Sequence, residues 1–152
     1  IVSLVDEPGF LIGPEAEKEG TILHGTQAVL ACTESTVPWT TVMIRKSFGV
    51  AAAAHYGPDG YVLAWPSSES GPLPLEGGVA VAFKKEIAEA KDPEAKRKEL
   101  EAKMAKNQNP FPRAEAFSVH ELIDPRETRK YISLWAERIQ QQLKAALIKR
   151  LS

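Results

Sequence analysis

Very little in these 152 residues points to a ligand by composition alone. There is a single cysteine, Cys32, so an intramolecular disulfide and a multi-thiolate metal cage are both excluded, and a reducing, cytoplasmic compartment is the simplest setting for it. Neither sign of charge dominates: 19 Lys and Arg stand against 20 Asp and Glu, a formal net charge of -1. No global positive field therefore exists to gather nucleic acid or an anionic membrane surface. No apolar run approaches the roughly 20 residues of a membrane span, and the opening Ile1-Val2-Ser3-Leu4-Val5 lacks the basic flank of a secretion signal. An initiating methionine is also missing: the chain starts inside a strand-like run, which reads as a segment cut from a longer polypeptide. A mature serine protease opens on Ile-Val too, but no nucleophile elbow with a matching His and Asp follows. What the chain does have is ordinary globular usage, 43% hydrophobic and 26% charged, in a length that bounds it to one domain or part of one.

The pattern along the chain is α/β. Ile1–Val5 reads as a buried strand, ended by the turn chemistry of Asp6-Glu7-Pro8-Gly9. A helix is expected over Glu15–Ser35, with Ile22, Val29 and Cys32 or Thr33 on one face and Gly20 and Gly25 weakening its first half. Thr40–Ile44 is a second strand feeding Arg45-Lys46-Ser47-Phe48-Gly49-Val50, and Ala51–Ala54 is one turn of helix with a surface too small to exclude a close neighbour. Tyr61–Trp65 is a third strand and Ser67–Gly71 a loop. Leu75–Ala90 is expected as one amphipathic helix with Val79, Phe83 and Ile87 in line. Asp92-Pro93 caps a charged, exposed helix over 91–108, in which Glu94/Lys98 and Glu99/Lys103 are i,i+4 pairs. Asp124-Pro125 repeats the cap, and Ile132, Trp135, Ile139, Leu143, Leu147 and Leu151 stripe a terminal helix that needs a partner surface. The expected organisation is a core over 1–90, the exposed helix, and a helical segment over 109–152.

The usual catalytic constellations are poorly supported. His24, His55 and His120 do not fall at metal-ligand spacings, Ser47, Ser67 and Ser68 have no elbow context, and the glycines match neither a phosphate loop nor a dinucleotide fingerprint. Asp6 and Glu7 are adjacent and point apart in an extended segment, which disfavours paired-carboxylate chemistry. What remains is the strand, small-residue turn and helix over Ile44–Ala54. Its first helical N–H groups are unpaired and partly positive, so they can hold an oxyanion without a titrating side chain, or the turn can be simple packing.

Several motifs occur in the order of one family. Val5-Asp6-Glu7-Pro8-Gly9-Phe10 is followed by Gly13, His24-Gly25, Thr36-Val37-Pro38, Arg45-Lys46-Ser47-Phe48-Gly49 and Ala64-Trp65-Pro66-Ser67-Ser68-Glu69. Leu75-Glu76-Gly77-Gly78-Val79 is similar to the family's Gly-Pro-Glu-Gly-Ala helix start, and Ile123-Asp124-Pro125-Arg126-Glu127-Thr128-Arg129 to its C-terminal signature. The chain thus resembles the biotin-dependent acyl-CoA carboxyltransferases, over the last part of their C-terminal domain only. The resemblance implies a crotonase-like (ClpP/crotonase) spiral of ββα units in which carboxylate passes from carboxybiotin, carried on a biotin carboxyl carrier domain, to the α-carbon of an acyl-CoA, with no metal in this part. It implies two oxyanion holes, one per domain. The C-terminal one falls on the backbone N–H groups of Val50 and Ala51, just after Gly49, with Pro8, Gly9 and Phe10 nearby, and Ala53 stands where many members set acyl-chain selectivity. The partners implied are the acyl-CoA, the carrier domain, the N-terminal carboxyltransferase domain and further copies in a homo-oligomer, with no nucleic acid and no membrane.

Three departures stand out. Val50 replaces the second glycine of the family's Gly-Gly-Ala or Gly-Gly-Ser, which keeps the donor but crowds the approach. Ala53 is small, which predicts a roomier acyl pocket and a substrate other than plain acetyl-CoA. Pro72-Leu73-Pro74 replaces an Ala-Val-Met-Gly stretch. Without the N-terminal domain the segment is expected to be inactive alone, which leaves a non-catalytic binding or assembly module as the alternative. A crotonase-type hydratase or hydrolase would need a carboxylate pair, for which Glu69 and Glu76 are the candidates.

Overall fold

In a computed structural model of the chain, residues 1–151 are described, with the side chains of Glu76, Arg150 and Leu151, and so the last position of the terminal stripe, outside the description. The centre is β2 (Thr40–Phe48), whose Thr40, Thr41, Val42 and Met43 are almost wholly buried. A strand that is apolar or β-branched at successive positions suits a parallel sheet covered on both faces. β1 (Val2–Glu7) lies parallel on one side, Val2 opposite Thr40 and Val5 opposite Met43. β3 (Tyr61–Ala64) lies parallel on the other, Thr40 opposite Tyr61 and Met43 opposite Ala64.

Where β3 leaves, β4 (Glu69–Gly71) takes over the same side of β2, pairing Lys46 with Glu69 and Phe48 with Gly71. Two successive strands on one neighbour, followed by the helix α4 (Leu75–Ala82), form the ββα unit of a crotonase-like spiral. The expected loop over Ser67–Gly71 is corrected accordingly: Ser70 is polar but fully buried, and tertiary pairing overrides the turn-like composition. The strand at Thr40–Ile44 likewise runs on to Phe48.

Two expected helices are each broken. Glu15–Ser35 divides into α1 (Pro14–Lys18) and α2 (Thr21–Thr33) because Gly20 sits at φ 71, a left-handed conformation no helix interior accepts. The face of α2 that packs is Gly25 and Cys32, while Ile22 is 66% exposed. Leu75–Ala90 divides into α4 and, after α3 (Gly49–Ala53) upstream, α5 (Lys84–Ala88), with Phe83 out of helical geometry between them. Val79 alone of that stripe is fully buried.

α6 (Pro93–Gln108) starts as its sequence demands, with the Asp92 carboxylate accepting from the N–H groups of Glu94 and Ala95. Its charges are mostly solvated, but Leu100 and Gln108 turn inward. Lys98 pairs with Glu94 at 3.0 Å, whereas Glu99 is held by Lys96 at 3.2 Å, which also reaches Glu86 of α5 at 3.1 Å. The 109–152 segment is not purely helical. After α7 (Phe111–Glu115) it supplies β5 (Glu121–Leu122), parallel to β3, and the buried Ile123, which completes a cluster with Val42 and Leu63. Burying each such aliphatic side chain contributes about 1.5–3 kcal/mol. Asp124 caps a short 3-10 turn, accepting from Arg126 N–H at 2.8 Å, and α8 (Thr128–Leu151) follows. Tyr131 and Ile132 pack on the sheet, while Leu143, Leu147 and Ile148 are exposed.

Candidate functional site

The C-terminal ends of β1 and β2 open onto a groove of about 850 Å³. One wall is the loop after β1. Glu7 Oε1 accepts from Gly9 N–H at 2.9 Å, and Gly9 at φ 134 turns the chain toward α1. This throws the Phe10 ring onto α2, where a Cβ on Gly25 would run into its Cζ atom. A glycine inside a helix costs about 0.5–1 kcal/mol relative to alanine, and here it makes room for an aromatic wall. Beside it Asp6 accepts from Arg45 Nε at 3.0 Å and from Lys46 N–H at 3.2 Å. The Arg45 guanidinium holds the Asp6 carboxyl below the usual carboxylate range.

The floor is the start of α3. Phe48 is extended, Gly49 swings to φ 63, and the helix begins at once with no side-chain cap. The first helical N–H groups have no partner one turn back, so Val50 and Ala51 present polarised donors. The Val50 side chain is 63% exposed at the rim and Ala51 is 5% exposed beneath it. Pro72, Leu73 and Pro74 form the opposite wall with Gly77, Gly78 and Val81 of α4.

Of the residues expected at a site, Pro8, Gly9, Phe10, Gly49, Val50 and Ala51 come together on this groove. Ala53 does not: it is exposed at the other end of the short helix and is not among the lining residues. Leu11, Ile12, Ile22 and Val81 were not expected there; all are exposed large apolar side chains at the rim, a pattern visible only once the loops converge. None of the described lining residues carries a titratable side chain. Glu69 is exposed and does not line it, and the Glu76 side chain lies outside the described residues. Chemistry in this groove therefore has backbone dipoles to work with and no general acid or base among the described lining groups.

The other reactive groups are engaged elsewhere. Cys32 donates its thiol to the Tyr56 carbonyl at 2.8 Å, and burial pushes its pKa up. His120 Nδ1 accepts from Val62 N–H at 2.9 Å, the His55 carbonyl accepts from Trp39 Nε1 and Thr41 Oγ1, and His24 is exposed beside Gln27. Ser47 Oγ and the Tyr56 hydroxyl share a hydrogen bond at 2.7 Å beneath the sheet. Among the described residues no helix is long and apolar enough to cross a membrane.

The family model described as a carboxyl transferase domain matches residues 1–151. The chain belongs to that family. It is 41% identical over 140 residues to the methylmalonyl-CoA carboxyltransferase 12S subunit of Propionibacterium freudenreichii subsp. shermanii, covering 88% of this chain and 26% of that protein. It is 39% identical over 134 residues to the carboxyltransferase subunit of propionyl-CoA carboxylase from Haloferax mediterranei, covering 85% and 26%. The crystal structure of the transcarboxylase 12S hexamer with methylmalonyl-CoA bound superposes with a TM-score of 0.79 at 39% identity, covering 92% of this chain and 28% of that one. This carboxyl transferase chain thus spans about a quarter of the length of the relatives it matches.

Proposed function

We propose that this chain forms the carboxybiotin side of a carboxyltransferase, moving carboxylate from carboxybiotin to the α-carbon of an acyl-CoA. The observation that carries the reading is the groove itself: about 850 Å³, apolar walls at the start of α3, and no titratable side chain among the described lining residues. An apolar bicyclic ring bearing a urea oxygen fits such a lining, since the walls cover the ring and the donors face the oxygen. When bound there, carboxybiotin supplies the carboxylate to be transferred. The Val50 and Ala51 amides hold negative charge as it develops on that oxygen, Gly49 sets their direction, and Phe10, with Pro8 and Gly9, excludes water from one side. One preorganised donor of this kind is worth about 3–4 kcal/mol.

The acyl-CoA site belongs to a complementary N-terminal carboxyltransferase domain, and the biotin arrives on a carrier domain. Exposed Leu143, Leu147 and Ile148 on α8 support self-association, in keeping with the hexamer described for the 12S relative. The test is carboxyl transfer between carboxybiotin and a panel of acyl-CoAs, run on the chain alone and with the complementary domain. Turnover restored by complementation is expected. None in either arm, with the chain folded, overturns the reading in favour of a non-catalytic assembly module.

A further inference from the structure

Gln108, on the last turn of α6, lies in none of the motifs above, yet its side chain is 4% exposed. Its Nε2 donates to the Leu73 carbonyl at 2.9 Å, while its Oε1 is buried with no hydrogen-bond partner among the described residues. An orphaned buried acceptor is costly, and leucine or methionine would fill the same space without that cost. Stability alone therefore does not account for the amide.

The segment it holds is short of ties of its own. Pro72 and Pro74 have no N–H to donate, which leaves Leu73 the one amide donor of the three residues. The same segment stands directly against the start of α3. The Pro72 carbonyl oxygen lies 3.3 Å from where a Cβ on Gly49 would be, and on the other side Leu73 Cβ is 2.9 Å from the corresponding point on Gly78. Gly71, just before it, pairs in register with Phe48, and Gln108 packs against it, with Cγ and Nε2 each 3.7 Å from where a Cβ on Gly71 would be.

We propose that Gln108 is a positioning residue of the groove: its amide fixes the Leu73 wall against Gly49 and so sets the aim of the Val50 and Ala51 N–H groups. The inference rests on the carboxyltransferase reading, and it adds a group that neither touches the ligand nor lines the groove. Gln108→Leu keeps the volume and removes the donor. In the chain assembled with the complementary domain, it is expected to lower kcat about tenfold while KM for biotin and for acyl-CoA stays put. Hydrogen exchange in residues 69–75 should quicken about tenfold, with residues 131–145 unchanged. Should that variant fail to fold, Gln108→Met removes the same donor on an unbranched chain and is expected to lower kcat severalfold with KM again unchanged. Normal kcat in a folded variant, or a loss that appears in KM alone, overturns the positioning role. A wild-type assembly without turnover overturns the carboxyltransferase reading, and this inference with it.

Discussion

The indole Nε1 of Trp65 donates to the hydroxyl of Thr128 at 2.9 Å, joining the end of β3 to the start of α8 across 63 residues of sequence. Thr128 in turn donates to the Pro125 carbonyl at 2.7 Å, so one hydroxyl links two motifs far apart in the chain. Thr128→Val keeps the shape and strands a half-buried indole N–H. We expect a loss of about 1–2 kcal/mol in urea unfolding, with no change in m-value.

Gly25→Ala should close the space taken by Phe10. The added Cβ would stand far inside van der Waals contact with the ring, so the ring must leave α2. A destabilisation of about 1–3 kcal/mol is expected despite the gain in helix propensity, and Phe10→Ala in the same chain should recover most of it. A thermal melt of the single and double variants decides this; additive losses would disprove the contact.

Val50→Pro removes one donor from the groove and leaves the helix bonds alone, because a first-turn N–H has no helical partner and proline is tolerated there. Carboxyl transfer in the complemented enzyme should fall about 100-fold or more, at little cost in melting temperature. Val50→Gly keeps the donor and uncrowds the rim, so its turnover should equal or exceed wild type.

Acid should weaken the fold through two carboxylates. The Arg126 guanidinium holds the Asp124 carboxyl down at about 2, and Arg45 lowers Asp6. A carboxyl depressed in the folded state stabilises it above the ordinary range near 4 and loses that contribution as pH falls toward the folded value. Urea midpoints of wild type and Asp124→Ala should therefore differ at pH 7 and converge near pH 2.

Cys32 should be slow to react. Its thiol is buried, donates to the Tyr56 carbonyl and has a raised pKa, so little thiolate exists at pH 8. Alkylation by iodoacetamide should be at least tenfold slower in native protein than in urea.

Capping and strand content were legible because their causes are local. Asp92-Pro93 and Asp124-Pro125 carry acceptor and fixed φ in adjacent residues, and Thr40–Met43 carry the apolar run of a buried strand. Much of the groove was legible too, through the motif order around Pro8-Gly9-Phe10 and Gly49-Val50-Ala51. The helix breaks were not: Gly20 weakened its segment but did not show that the chain would turn left-handed there, and Phe83 sat on a regular apolar stripe. β4 was hidden because Ser68, Glu69 and Ser70 read as a turn until β2 supplied a pairing edge.

The sequence by itself determined the family, the α/β character and the strand-to-helix turn, since these rest on residue type and spacing within a few positions. Only the tertiary structure decided that Ala53 lies off the groove and that Phe10 rests on Gly25. It alone revealed that Gln108 holds Leu73. These are contacts between segments far apart in the chain, and their geometry follows from how the layers pack and from no local preference of the residues that make them.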